Sequence, residues 1–198
     1  EMEPTWYSLL DKAVSGNDPA GLKLCAQAVT KAGLAGTAFR EHLDPKDVLG
    51  EIGKLVLSAF DAAGRVAILL GDPGTGELRP RYASDGSDKD AGATFPVSRG
   101  VVDDAIAAKH VVVASVTLGG AARQVMCAPL TADENHPGVI YLEAGEDGKF
   151  TQEDLQLFAA LSTEAANALA YALRHDKLIL GQRISRDLQL ARRIHDNA

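Results

Sequence analysis

The side chain in this sequence most capable of chemistry by itself is the thiol, and there are two, Cys25 and Cys127. Cys127 lies in the run Met126-Cys127-Ala128 with no basic residue beside it to stabilise a thiolate, so a buried structural thiol is the favoured reading. Cys25 is remote in sequence, and the pair lacks the spacing of metal ligands. The histidines, His42, His110, His136, His175 and His195, are scattered, and no two stand at the helical spacing that brings imidazoles onto one metal. Ser98, Ser162 and Thr163 come without ordered His and acid partners, so they do not compose a nucleophilic triad. Gly71, Gly74 and Gly76 belong to a turn and lack the lysine and helix start of a phosphate loop. The acid pairs Asp103-Asp104 and Glu153-Asp154 fall on helix surfaces, without the burial that general acid or base work requires. We therefore expect no catalytic residue and no metal site.

Composition narrows the setting. A chain of 198 residues with 46% apolar content can bury a sizeable core, read here as one domain with appendages. The formal net charge of -7 gives no broad positive field for phosphates, which argues against nucleic acid and against an anionic membrane surface. No run reaches the length of a membrane span, and the amino end lacks the basic-then-apolar order of a secretory signal, so a cytoplasmic location is expected. The sequence starts at Glu1 and stops inside a helical pattern at Ala198, from which we expect a piece of a longer protein.

The elements that would position these residues follow from periodicity. Thr5 to Leu43 carries two helical patterns separated by Ser15-Gly-Asn-Asp-Pro, and reads as a helical linker over residues 1–43. Asp44-Pro45 is a cap followed by a first-turn proline, and Val48, Ile52, Leu55, Val56, Ala59 and Phe60 form the stripe of the next helix. Arg65 to Leu70 is apolar on both faces, as in a central strand. Asp72-Pro-Gly-Thr-Gly turns the chain into a second strand, Glu77 to Ala83, and Phe95 to Val97 is a third. A short helix opens at Ser98 or Arg99 with Val101, Val102, Ala105 and Ile106 facing inward. Val111 to Ala114, Arg123 to Leu130 and Gly138 to Glu143 complete six strands. From Thr151 one long helix runs on, with Leu155, Phe158, Leu161, Ala165, Leu169 and Leu173 on its apolar side. Its many alanines let a neighbouring helix approach closely, and the pattern continues through Leu180, Ile184, Leu188, Ala191 and Ile194 as an imperfect coiled-coil heptad.

Six runs in this order carry a resemblance: Arg65-Val-Ala-Ile-Leu-Leu-Gly-Asp, Gly74-Thr-Gly-Glu-Leu, Phe95-Pro-Val-Ser-Arg-Gly-Val-Val, Met126-Cys-Ala-Pro-Leu, Gly138-Val-Ile-Tyr-Leu-Glu and Phe150-Thr-Gln-Glu-Asp-Leu. Together the segment resembles a GAF domain, a regulatory module of bacterial multidomain signalling proteins. The resemblance implies an α+β, PAS-related fold: a central six-stranded antiparallel sheet, flanking helices and a long C-terminal signalling helix. It places the domain at residues 44–173 and a coiled-coil signalling helix at 174–198, leading to an absent output domain.

Family members bind cyclic nucleotides, bilins, haem, iron or small metabolites, and many bind nothing and dimerise. The resemblance thus implies a homodimer through helices, a small-molecule ligand as a further option, and no specified cofactor. Phe95, Val101, Val102, Ile106, Val113, Cys127 and Tyr141 are the candidate pocket lining. Ala165, Leu169, Leu173, Leu180, Ile184 and Ala191 are the candidate dimer helix. Cyclic-nucleotide-binding members carry an Asn-Lys pair and a later Phe with Asp-Glu. Here Phe150 and Asp154 keep that later spacing, while Leu155 and Ala144-Gly145 depart from it. The free methionine sulfoxide reductases of this fold use several cysteines, whereas Cys25 lies outside the module. No cysteine stands beside a histidine as in bilin-attaching relatives. Asp187-Leu-Gln-Leu-Ala-Arg-Arg-Ile-His resembles the linker into metal-dependent serine phosphatases, and His195-Asp196 also resembles a kinase phosphoacceptor box. The linker is the favoured reading.

Overall fold

The computed structural model describes residues 44–72, 74–86, 95–118, 120–130 and 137–196, with side chains in the last stretch given to residue 182 and at residue 186. The two helical patterns expected before Leu43 lie outside the described residues. Helix α1 (Pro45–Ala59) starts as its sequence dictates: the Asp44 carboxylate accepts from the Lys46 N–H at 2.8 Å, and Pro45 needs no donor at the first helical position. Strands β1 (Ala63–Gly71) and β2 (Leu78–Ser84) form a hairpin closed by Asp72, whose carboxylate accepts from the N–H groups of Gly74 and Thr75. Helix α2 (Arg99–Ala108) follows, ended by Lys109 in the left-handed conformation with φ 58°. Then come β3 (Val112–Leu118), β4 (Ala121–Pro129), β5 (Gly138–Ala144) and the 45-residue helix α3 (Gln152–Asp196).

The sheet has five strands in the order β2-β1-β5-β4-β3, every neighbouring pair antiparallel. The sixth strand expected at Phe95–Val97 lies outside it. Pro96 has no N–H to give to a ladder, and the Phe95 side chain is buried against Tyr141 instead, with ring centroids 6.4 Å apart.

Strand alternation divides the core in two. Val66, Ile68, Leu70, Met126, Ala128, Ile140 and Leu142 face α1 and α3. Phe60 joins that layer edge-to-face with Phe150 and Phe158, at centroid distances of 6.5 and 5.8 Å. Tyr82 lies so close to α1 that a Cβ at Gly53 would stand 1.9 Å from its ring, which fixes glycine there.

Phe158, Leu161, Ala165, Leu169 and Ala172 of α3 are buried in this same layer. That corrects part of the expected dimer helix: Ala165 and Leu169 belong to the domain's own core, and Leu173 packs against it. Apolar periodicity marks a buried face and leaves open which neighbour buries it. Leu180 is exposed, and the side chains of Ile184 and Ala191 are outside the described residues.

Candidate functional site

The opposite face of the sheet is covered by α2 and the Phe95 segment. Ala67 and Leu69 from β1, Val125 and Cys127 from β4, and Val139 and Tyr141 from β5 form its floor. Phe95, Val101, Val102 and Ala105 close over it. Six of the seven expected lining residues gather here: Phe95, Val101, Val102, Cys127 and Tyr141 in the buried layer, and Ile106 packed against it. Val113 does not. It pairs with Met126 and packs with the α1–α3 layer, while Val112, opposite Cys127, faces this side. Adjacent strand residues point to opposite faces, so a register shifted by one valine exchanges them.

At one end this apolar layer meets charge, which the sequence reading missed. Alternation along three strands carries Arg65, Glu143 and Arg123 onto this face, with Arg65 opposite Glu143 and Glu143 opposite Val125. The Glu143 side chain is 0% exposed. Arg65 Nη2 donates to its Oε2, and Arg123 Nε lies 3.2 Å from its Oε1. That second approach is a charge contact without hydrogen-bond alignment, and Oε1 accepts no hydrogen bond among the described residues. The Arg65 guanidinium also lies over the Phe95 ring, 4.9 Å from its centroid. The available signal was a charged residue ending the otherwise apolar run Gly138-Val-Ile-Tyr-Leu-Glu143.

The network continues into the turn before α3. Arg123 Nη1 donates to the Ala144 carbonyl at 3.4 Å, and its Nη2 is 3.8 Å from Glu146 Oε1. Gln124, the next residue on β4, accepts the Phe150 N–H at 2.7 Å on the other face. Two adjacent side chains of β4 thus grip the β5–α3 connection from both sides of the sheet.

The remaining candidates have structural explanations. Cys127 is fully buried, and burial pushes its thiol up to about 12, so it carries no thiolate at neutral pH. Burial, with the nearby Glu143 charge adding to it, raises the Tyr141 phenol; the Ser98 N–H, which donates to its oxygen at 3.4 Å, acts in the opposite sense. Ser162 and Thr163 donate their hydroxyls to the carbonyls of Phe158 and Ala159 one turn earlier in α3. Phe150 is core on the α1–α3 side, and Asp154 exchanges capping hydrogen bonds with Thr151, so the pair that echoes cyclic-nucleotide binders lies away from this layer. His110 is exposed, with Nδ1 3.0 Å from the Ala108 carbonyl, and His42 and His136 are outside the described residues. No metal-holding group of three His, Cys, Asp or Glu occurs among the described residues, and no described helix is long and apolar enough to cross a membrane.

Comparison with known proteins gives a family. The sequence model described as GAF domain matches residues 44–171. No curated protein sequence matches the chain. Solved structures with a similar fold include a protein described as a GAF sensor from Burkholderia vietnamiensis, at TM-score 0.60 and 20% identity, covering 76% of this chain and 91% of that one. The free methionine-R-sulfoxide reductase of Neisseria meningitidis, solved with its substrate, has TM-score 0.59 and 17% identity, covering 75% of this chain and 93% of its own. The GAF domain of a phosphoenolpyruvate-protein phosphotransferase from Coxiella burnetii has TM-score 0.59 and 12% identity, covering 76% and 96%.

Proposed function

The chain belongs to the GAF domain family, and from that premise we propose that it is a regulatory module that passes a change at the Phe95–Tyr141 face to a downstream output domain through α3. One observation carries this reading. Helix α3 begins inside the core at Phe158, Leu161, Ala165 and Leu169, and continues as a single helix to Asp196. At about 1.5 Å per residue, the part beyond Ala172 is about 36 Å long. A shift of its first turns is therefore a shift of its far end.

Dimerisation through that far part is the second half of the proposal. A helix without tertiary support is marginal in water. Leu180, exposed at 56%, continues the side of α3 that Leu169 and Leu173 present to the core. In sequence the seam runs on through Ile184 and Ala191, and a second copy of the chain is the occupant that a shared heptad favours. The resemblance of residues 187–195 to a phosphatase linker supports a phosphatase as the output domain.

Sedimentation equilibrium tests the dimer. The wild-type chain should be dimeric at tens of micromolar, and Leu180→Glu monomeric but still folded, with a melting temperature that no longer rises with protein concentration. A monomeric wild-type chain contradicts the dimer. The alternative of a thiol enzyme loses support from the buried, protonated Cys127; turnover of a sulfoxide that vanishes in Cys127→Ser would restore it.

A further inference from the structure

We propose that Arg65 is the anchor of a ligand site on this face and takes the carboxylate of a small organic acid, an inference that rests on the sensor reading above. A buried carboxylate shared between arginines contributes little to stability compared with apolar residues of the same volume, so fold stability alone does not account for Glu143. What Glu143 does is hold Arg65. One Arg65 nitrogen donates to Oε2, the guanidinium carbon lies over the Phe95 ring, and no other Arg65 side-chain donor has a hydrogen-bond partner among the described residues. The side chain is 32% exposed. An arginine fixed in this way presents a rigid planar fork whose ordering cost is already met, and a carboxylate matches that fork in geometry and charge.

Two further features favour an anion. Helix α2 opens beside Tyr141, because the Ser98 N–H donates to the Tyr141 oxygen. The Ser98 side chain makes no capping bond, and nothing stands within 4 Å of a Cβ built on Gly100, so the first amides of α2 keep their positive end open. Val97, half-buried in the segment that leads into α2, offers apolar surface to the body of the acid.

Glu143 supplies the consequence of binding. It hydrogen-bonds Arg65 and is only charge-paired with Arg123, leaving Oε1 without a hydrogen-bond donor among the described residues. An anion on the remaining donors of Arg65 shares its charge and weakens its pull on Glu143 without moving it, so Glu143 gains by closing a hydrogen bond with Arg123, the residue that also holds the Ala144 carbonyl before α3. The ligand thereby discriminates between two arrangements, as any effector must.

The test is an amide NMR titration of the whole chain with butanoate, 3-methylbutanoate and benzoate, each against its uncharged amide. We expect at least one acid to give saturable shifts at Arg65, Ser98 and Glu143, with its amide binding about tenfold more weakly or worse. Arg65→Met should weaken the acid by about tenfold or more. Should that variant fail to fold, Arg65→Lys keeps the charge, loses the fork and should bind detectably less well. Equal binding of acid and amide, or full binding by Arg65→Met, overturns the anchor and leaves the sensor reading standing. No saturable shift with any of the acids also overturns the anchor; a thermal-shift screen with uncharged and cationic metabolites then decides separately whether the face senses anything.

Discussion

Replacing Glu143 with glutamine probes the network at its centre. The side chain is 0% exposed and faces two arginines, so the substitution keeps the shape and removes the buried negative charge that both arginines face. Breaking a buried ion pair from one side costs about 3–5 kcal/mol, chiefly because the remaining charge is left uncompensated in a poor dielectric. Arg65 and Arg123 are here 32% and 22% exposed, so each can recover part of its hydration. That places the cost at the low end, about 3 kcal/mol. Urea unfolding followed by circular dichroism reads it as a lower midpoint at unchanged slope. Exchanging all three residues for apolar ones, Arg65→Met, Glu143→Leu and Arg123→Met together, should return most of the loss, because no charge is then left buried. A cost below about 1 kcal/mol for Glu143→Gln would show that the arginines do not depend on the carboxylate, and the account of the network would fail with it.

Core and surface faces of α3 should separate cleanly. Leu169→Ala removes side-chain volume at a site with 0% exposure and should cost about 2–5 kcal/mol in a urea melt, whereas Leu178→Ala at 66% exposure should stay within about 0.5 kcal/mol. The Cys127 thiol, raised from 9.0 to about 12 in the folded state, holds its proton more tightly than the unfolded chain does. Its contribution is thus fully present below pH 9 and is lost between about pH 9 and 12, amounting to about 1 kcal/mol at pH 10. Cys127→Ala should flatten that alkaline loss, and iodoacetamide should label Cys127 in urea while leaving the native thiol unmodified.

The elements most legible in the sequence were those where local chemistry and burial agree. Asp44-Pro45 and Thr151 with Asp154 mark helix starts by capping, and the helices begin there. Arg65–Leu70 is apolar on both faces because β1 lies inside the sheet, between β2 and β5. Other features depend on pairings that no local window contains. Val111, Val112 and Val113 are chemically identical, and only the register Val112↔Cys127 decides which faces the candidate site. Leu169 and Leu180 lie on nearly the same side of one helix, yet the domain's core ends between them. Arg65, Arg123 and Glu143 are far apart in the chain and converge only when β1, β5 and β4 pair. The apolar half of the candidate site could therefore be read from composition and alternation, and its polar half could not.

The central claim is that the Phe95–Tyr141 face and the start of α3 are energetically connected through Arg65, Glu143 and Arg123. Hydrogen exchange on the wild-type chain and Arg65→Met, followed by mass spectrometry, tests it directly, since no contact of Arg65 with α3 enters the network. The account predicts faster exchange across residues 150–156 in the variant, beyond the stretch at Gly145 that hydrogen-bonds Ala62 directly. A change confined to β1, its strand neighbours and the adjoining residues 145–148, with residues 150–156 exchanging as in the wild type, would contradict it.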